Sequence, residues 1–116
     1  MVAIIHKRSW RDFDWVLAFL AIAIVGFGTV GSAVARRLLG PDSVRPLQLT
    51  HICDRRAADK QGVLVADAVT WTDSIDTILR SDADVVVEAV GGLEPASGWI
   101  RDALLAGKSV VTANKQ

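Results

Sequence analysis

Residues 21–31 read AIAIVGFGTVG, and this stretch carries the strongest indication of the fold. It opens on an unbroken apolar run, Ala21–Val25, as expected of a central parallel strand that is covered on both faces. Three glycines follow in the order G-x-G-x-x-G, and Thr29–Leu39 then carries the spacing of an amphipathic helix that Gly40 and Pro41 end. A strand, a glycine-rich turn and a helix in this order predict a βαβ unit.

Each glycine of this turn has its own physical reason. Gly26 permits the tight turn, Gly28 lets the backbone approach a pyrophosphate, and Gly31 allows the helix to pack closely on the strand. The backbone amides of residues 27–30 and the positive end of the helix dipole favour a diphosphate there without any lysine. The alternative is that the glycines only make a tight strand-to-helix turn.

An acidic residue follows the second predicted strand, Leu47–Cys53. Asp54 lies 54 − 31 = 23 residues beyond the third glycine, near the spacing of about 20 at which a carboxylate binds the adenosine ribose of NAD. Arg55 and Arg56 come next, and their guanidinium groups could hold the 2′-phosphate of NADP. The pattern is compatible with either NAD or NADP. The alternative is that these three side chains are solvated loop residues with no ligand.

The rest of the chain continues the alternation of strands and helices. We predict a parallel, doubly wound Rossmann-type α/β sheet with helices on both faces, incomplete in this chain, over residues 20–116. Residues 1–19 form an N-terminal extension without a usable pattern. The remaining predicted elements are strands at Val69–Trp71, Val85–Val90 and Ser109–Thr112, a helix at Ser74–Leu79 with Asp73 as its N-cap, and a helix that starts near Pro95 and stops before Gly107.

Two further segments end at the same edge of the predicted sheet, where ligands of this fold bind. Val90 and Gly91 follow the strongest strand and would pass beneath the ribose and nicotinamide of a cofactor. Thr112, Ala113 and Lys115 follow the last strand, and a lysine there could polarise a carbonyl or be an ordinary exposed residue. Glu88 lies within an apolar strand, and we expect it to make structural hydrogen bonds because a buried acid needs partners.

Composition excludes several classes of function. Thirteen basic and thirteen acidic side chains give zero net charge, so nucleic acid is not an expected partner. One cysteine, Cys53, excludes an internal disulfide and a multi-cysteine metal site, which fits the cytoplasm. The uncharged run Trp15–Ala35 suggests a membrane span, but its apolar part stops at Val25 and is too short to cross a bilayer. A secretory signal is not favoured, because Asp12 and Asp14 interrupt the basic flank before the run. No metal site or nucleophile triad is predicted.

Three blocks of sequence, in this order and spacing, resemble the N-terminal nucleotide-binding domain of homoserine dehydrogenases. They are VGFGTVGSAVARRL from Val25, DADVVVEAVGG from Asp82, and GKSVVTANKQ from Gly107. The resemblance implies an enzyme that interconverts L-homoserine and L-aspartate 4-semialdehyde with NAD or NADP, on the way to threonine and methionine. It also implies a substrate-binding and dimerising domain after the last block, through which members of the family form homo-oligomers.

The resemblance further implies roles for individual residues. Lys115 matches a lysine that reaches both cofactor and substrate, and its charge would favour the oxyanion that develops on the carbonyl. Contacts to the cofactor are implied at the glycine turn, at the exit of the central strand and after the last strand, by Phe27, Thr29, Val30, Val90, Gly91, Thr112 and Ala113. This chain alone is not expected to be active. Two other readings are a different amino-acid or semialdehyde dehydrogenase and a non-catalytic nucleotide-binding module.

Overall fold

The computed structural model describes residues 3–5, 20–41, 47–63, 68–92 and 94–113. Strands and helices alternate along these residues. The strands are β1 (Ala3–Ile5), β2 (Leu20–Val25), β3 (Leu47–Cys53), β4 (Thr70–Thr72), β5 (Val85–Glu88) and β6 (Ser109–Thr112). The helices are α1 (Thr29–Leu39), α2 (Ala57–Lys60), α3 (Ile75–Arg80) and α4 (Ala96–Leu105), with a 3₁₀ turn at Gln61–Val63.

All strands of the described residues belong to one sheet, in the order β1-β6-β5-β2-β3-β4. Strands β2 to β6 run parallel to one another, and β2 pairs with both β3 and β5. The chain therefore builds outward from β2 in one direction through β3 and β4, and then crosses back to add β5 and β6 on the other side. The gap between the carboxyl ends of β2 and β5 is the point where the strand order reverses, which is where such sheets bind ligands.

Helices cover both faces of the sheet, as predicted. On one face, the partly buried side chains of α1 pack against a core that includes Ile24 and Ile52. On the other face, α3 and α4 pack against a core that includes Val25, Val86 and Val110. A strand buried on both faces carries apolar side chains at successive positions, which explains the unbroken apolar run in β2.

The buried side of α1 differs from the prediction. The spacing predicts Val30, Val34 and Leu38 on the buried side, with Ala33 beside them. Val34 and Leu38 pack on the core as predicted, but Val30 and Ala33 are exposed, Val30 to 48%. The buried residues are instead Gly31 and Ala35, one residue further along the helix. The cause is the close approach of Gly31 to the strand, which turns this face of the helix inward and leaves Val30 at the mouth of the glycine turn.

The N-terminal extension contains an element that the sequence analysis did not identify. Strand β1 pairs antiparallel with β6, with Ala3 opposite Thr112 and Ile5 opposite Val110. A strand of three residues is too short for an alternation to be recognised. The sheet is therefore parallel from β2 to β6 and mixed at this edge.

Predicted boundaries also move at β5 and at α3. Strand β5 ends at Glu88 and not at Val90, because the amides of Val90 and Gly91 donate to the side chain of Glu88 instead of to a neighbouring strand. The N-cap of α3 is Ser74 and not Asp73.

The uncharged run Trp15–Ala35 does not form one helix where the structure describes it. Residues 20–25 form β2, the glycine turn follows, and α1 begins at Thr29. Among the described residues, no helix has both the length and the apolar character needed to cross a bilayer. The residues of this run before Leu20 lie outside the described part of the chain.

Candidate functional site at the carboxyl edge of the sheet

A cleft of about 530 Å³ opens at the point where the strand order reverses. This volume lies within the range of roughly 300–1,000 Å³ that is usual for small-molecule sites. Its walls are the glycine turn after β2, the loop after β3 and the loop after β5. The lining residues that the sequence analysis predicted are Gly26, Phe27, Gly28, Asp54, Arg55, Val90 and Gly91.

Gly26 brings two walls of the cleft together. Its φ is +101°, a conformation that residues with a side chain rarely adopt. A Cβ at this position would lie 2.9 Å from the carbonyl carbon of Ala89, in the exit loop of β5. The Gly26 amide also donates to the carbonyl of Cys53 at 2.7 Å. The absence of a side chain thus lets β2, β3 and β5 end in one place.

Gly31 and Gly28 have opposite surroundings. A Cβ on Gly31 would lie 1.8 Å from the carbonyl oxygen of Gly26, so only glycine permits this approach of α1 to the turn. A Cβ on Gly28 would have no atom within 4 Å. Gly28 is the N-cap of α1, and no side chain caps the helix there. The exposed first turn of α1, with Thr29 and Val30, is therefore open to an anion.

Asp54 is tied to the glycine turn. One carboxylate oxygen, Oδ2, accepts the backbone amide of Phe27 at 2.8 Å and the Lys60 ammonium at 3.1 Å. The other, Oδ1, accepts the amide of Arg56 at 2.8 Å. The Lys60 Nζ also donates to the carbonyl of Phe27 at 3.1 Å, so it bridges the turn and the carboxylate. Burial alone would raise the pKa of Asp54, but these donors outweigh it and the pKa lies below its usual value.

This network changes what the glycine turn can offer to a ligand. The amide of Phe27 was predicted to face a phosphate, but here it donates to Asp54. The side chain of Phe27 is buried and packs edge-to-face on Trp71, with ring centroids 4.9 Å apart. Phe27 therefore anchors the turn to the core, and its role in binding a cofactor stays a prediction.

Glu88 organises the opposite wall of the cleft. It is 1% exposed, and its Oε2 accepts the amide of Val90 at 2.7 Å and that of Gly91 at 3.2 Å. Its Oε1 accepts the hydroxyl of Thr112 at 2.6 Å, and its backbone carbonyl accepts the amide of Ala113 at 3.0 Å. One buried side chain thus joins the exit loop of β5 to the end of β6, which agrees with the structural role predicted for it.

Of the remaining predicted site residues, Arg55 is exposed at the rim of the cleft. Thr112 is buried beside Glu88, and Ala113 is half-buried. Lys115, the predicted catalytic residue, lies outside the residues that the structure describes. The structure thus brings the glycine turn, Asp54, Val90 and Gly91 to one cleft, and their roles in binding stay predictions.

The lining of the cleft includes one cysteine thiol. Cys53 is buried on the cleft floor, and burial, with the charges of Asp54 and Asp73, raises the pKa of its thiol to about 11. The thiol is therefore protonated at neutral pH and is not a nucleophile.

Lys60 was not singled out from the sequence, because it lies in the polar stretch after β3 and belongs to no motif. Only the fold places its ammonium against Phe27 and Asp54.

Comparison with known proteins places this chain in a family. The family model described as the NAD binding domain of homoserine dehydrogenase matches residues 26–116. The homoserine dehydrogenase of Corynebacterium glutamicum is 39% identical over 107 residues, which cover 83% of this chain and 23% of that protein. The homoserine dehydrogenase of Mycobacterium leprae is 43% identical over 103 residues, with the same coverage.

Solved structures give the same result. A crystal structure of S. aureus homoserine dehydrogenase at pH 6.0 matches with a TM-score of 0.69 and 35% identity, over 85% of this chain and 27% of that one. The chain thus spans about a quarter of the length of these relatives. The cofactor class that the family description names is a nicotinamide dinucleotide, which fits a cleft with an open glycine turn and an uncapped helix. The chain belongs to the homoserine dehydrogenase family, in which it corresponds to the NAD-binding domain.

Proposed function

We propose that this chain binds NAD or NADP in the cleft and is the cofactor-binding part of an enzyme that interconverts L-homoserine and L-aspartate 4-semialdehyde. One observation carries the proposal: in a chain of this family, the uncapped start of α1 at Gly28 faces the exit loop of β5 across the point of strand reversal. In sheets of this type, a dinucleotide lies across the carboxyl edge at the point of strand reversal, between the loops that leave the two central strands.

Residues of the chain would contact the cofactor at three places: the diphosphate, the adenosine end and the nicotinamide end. The amides of Gly28, Thr29 and Val30 would hold the diphosphate, because they lie at the positive end of an α-helix that no side chain caps. At the adenosine end, Asp54 and Arg55 line the cleft after β3.

The nicotinamide end would lie on the opposite wall. Val90 and Gly91 would contact the ribose, and Thr112 and Ala113 would edge the ring. Glu88 supports this assignment, since it holds both segments with one side chain. The bound cofactor supplies the hydride chemistry, and the chain orients it. We place Lys115 beside the reacting carbonyl on its motif alone.

The setting of the reaction follows from the same family membership. Substrate binding and subunit association belong, on this proposal, to residues beyond those that the family shares with this chain. We propose the cytoplasm as its compartment, which the single cysteine supports because it cannot form an internal disulfide.

The direct test is a fluorescence titration of the 116-residue chain with NADH and with NADPH, after circular dichroism has shown that it is folded. We expect saturable binding of at least one dinucleotide. A Gly28→Asp variant should bind neither, because its carboxylate would clash with the diphosphate and repel it. Its matched control is Gly62→Asp, at a second glycine whose Cβ has open space, which should bind like the wild type. A folded chain that binds neither dinucleotide would overturn the proposal.

A further inference from the structure

Lys60 connects the glycine turn to the acidic residue beside the adenosine end of the cleft. Its Nζ lies 3.1 Å from the Phe27 carbonyl oxygen and 3.1 Å from Oδ2 of Asp54. The side chain of Lys60 is 29% exposed and that of Asp54 is 12% exposed. This ion pair is therefore largely shielded from water, which strengthens it relative to one on the surface.

The remaining binding capacity of Asp54 is small. Its carboxylate has about four acceptor sites, and Phe27, Lys60 and Arg56 occupy three of them. One site on Oδ1 is left for a ribose hydroxyl. The negative charge of the Asp54 carboxylate, which would repel a 2′-phosphate at this position, is paired with the ammonium of Lys60.

Three basic side chains lie around this end of the cleft. Arg55, Arg56 and Lys60 line it together with Asp54. Asp59 lies 3.7 Å from the guanidinium of Arg56, but both side chains are 71% exposed, so water screens this pair. Of the other acidic residues that line the cleft, Asp73 follows β4 beside the end of β3, where the Asp54 amide donates to the Thr72 carbonyl at 3.0 Å, and Glu94 lies after β5. An unpaired Asp54 would turn this end from an anion-tolerant site into one that selects against a phosphate.

We propose that Lys60 is a specificity-determining residue, which pairs the charge of Asp54 so that the cleft accepts a dinucleotide with a 2′-phosphate as well as one without it. The proposal rests on the proposed function, since it concerns the same dinucleotide. With Lys60 in place, Asp54 can accept a ribose hydroxyl on Oδ1, and the arginines can face a phosphate. Without it, the carboxylate and the phosphate repel each other.

The test compares the dissociation constants of NADH and NADPH for the 116-residue wild type, Lys60→Gln and Lys60→Arg. Glutamine keeps a hydrogen-bond donor but no charge, and arginine keeps the charge. We expect Lys60→Gln to raise the ratio Kd(NADPH)/Kd(NADH) roughly tenfold, and Lys60→Arg to leave it within roughly threefold of the wild type. The double variant Lys60→Gln/Asp54→Asn should restore the ratio, because the unpaired charge is gone.

The ratio separates this role from a merely structural one. If Lys60→Gln weakens both dinucleotides by the same factor, Lys60 only holds the loop and the specificity proposal is overturned. A wild type that binds NADH but not NADPH overturns it as well. If Lys60→Gln does not fold, the single variant Asp54→Asn decides, since it should shift the ratio toward NADPH, and an unchanged ratio would contradict the proposal. A folded wild type that binds neither dinucleotide overturns the proposed function itself.

Discussion

Two of the three walls of the cleft are built in different ways. The glycine turn between β2 and α1 depends on side chains that are absent: Gly26 touches the exit loop of β5, and Gly31 touches Gly26. The wall formed by β5 and β6 depends on one side chain that is present, because Glu88 holds Val90, Gly91 and Thr112 by hydrogen bonds. The first wall is set by steric exclusion and the second by satisfied buried polar groups.

This difference decides how each wall should respond to change. A steric contact between backbone atoms has no means of adjustment, so a single added methyl group affects the whole turn. A hydrogen-bonded carboxylate can be replaced by another group that satisfies the same donors. We therefore expect the glycine turn to fail abruptly and the β5–β6 wall to weaken in steps.

The largest effect is expected from Gly31→Ala. Its Cβ would lie 1.8 Å from the carbonyl oxygen of Gly26, so α1 must move away from β2. We expect a loss of at least about 3 kcal/mol in the free energy of unfolding, measured by urea denaturation.

Gly28→Ala is the matched control for this variant. Because no atom lies within 4 Å of its Cβ, its stability should stay within about 0.5 kcal/mol of the wild type, while its affinity for NADH falls. Equal stability of the two variants would show that the turn is not built by steric exclusion.

A smaller, graded effect is expected at Glu88. Glu88→Ala leaves the amides of Val90 and Gly91 without their acceptor and should cost about 2–3 kcal/mol. Glu88→Gln should cost less, because the hydroxyl of Thr112 can rotate to accept from the new amide group.

Hydrogen exchange locates the damage at this wall. In Glu88→Gln, exchange should accelerate at Val90 and Gly91 and stay unchanged at Gly26 and Gly31. Accelerated exchange across both walls alike would contradict the separation between them.

The smallest effect is expected from the pH dependence of Asp54, whose carboxylate accepts the Phe27 amide of the glycine turn. Its pKa in the folded chain is lowered, below the value of about 3.9 for an unfolded aspartate. Asp54 therefore stabilises the fold fully above about pH 5, and this contribution disappears as the pH falls toward its folded pKa.

Asp54→Asn tests this pH dependence. We expect the variant to lose about 1 kcal/mol at neutral pH and to show a shallower decline of stability on acidification. Thermal melts of the wild type and of Asp54→Asn, recorded from neutral pH down toward the folded pKa of Asp54, measure this difference in stability. Parallel declines would mean that Asp54 is not the titrating brace.

Much of the fold could be predicted from the sequence because it depends on local patterns. The bounds of α1 and β3 agree with the predicted ones, and β4 differs by one residue. Errors occurred where a specific side-chain or tertiary contact overrides the local pattern. Strand β5 ends early because the Glu88 side chain accepts the amides of Val90 and Gly91. Val30 is exposed because the contact of Gly31 with Gly26 sets the rotation of α1, and β1 is defined by its pairing with β6.

The site shows the same division. The glycine turn follows from the spacing of three residues, and Asp54 follows from its distance to them. Lys60 could not be predicted, because an ammonium in a polar loop has no preferred partner until the chain folds. Its contacts to Phe27 span 33 residues of sequence. Spacing predicts where a ligand approaches the backbone, while the charges that surround it depend on packing.

The central claim is that the amides at the start of α1 hold the diphosphate of a dinucleotide. Its most direct test is a two-dimensional amide spectrum of the nitrogen-labelled chain, recorded while NADH is added. We predict saturable shifts at Gly28, Thr29 and Val30, with smaller ones at Val90 and Gly91 across the cleft. NADH that binds while the resonances of residues 28–30 stay in place would contradict the account.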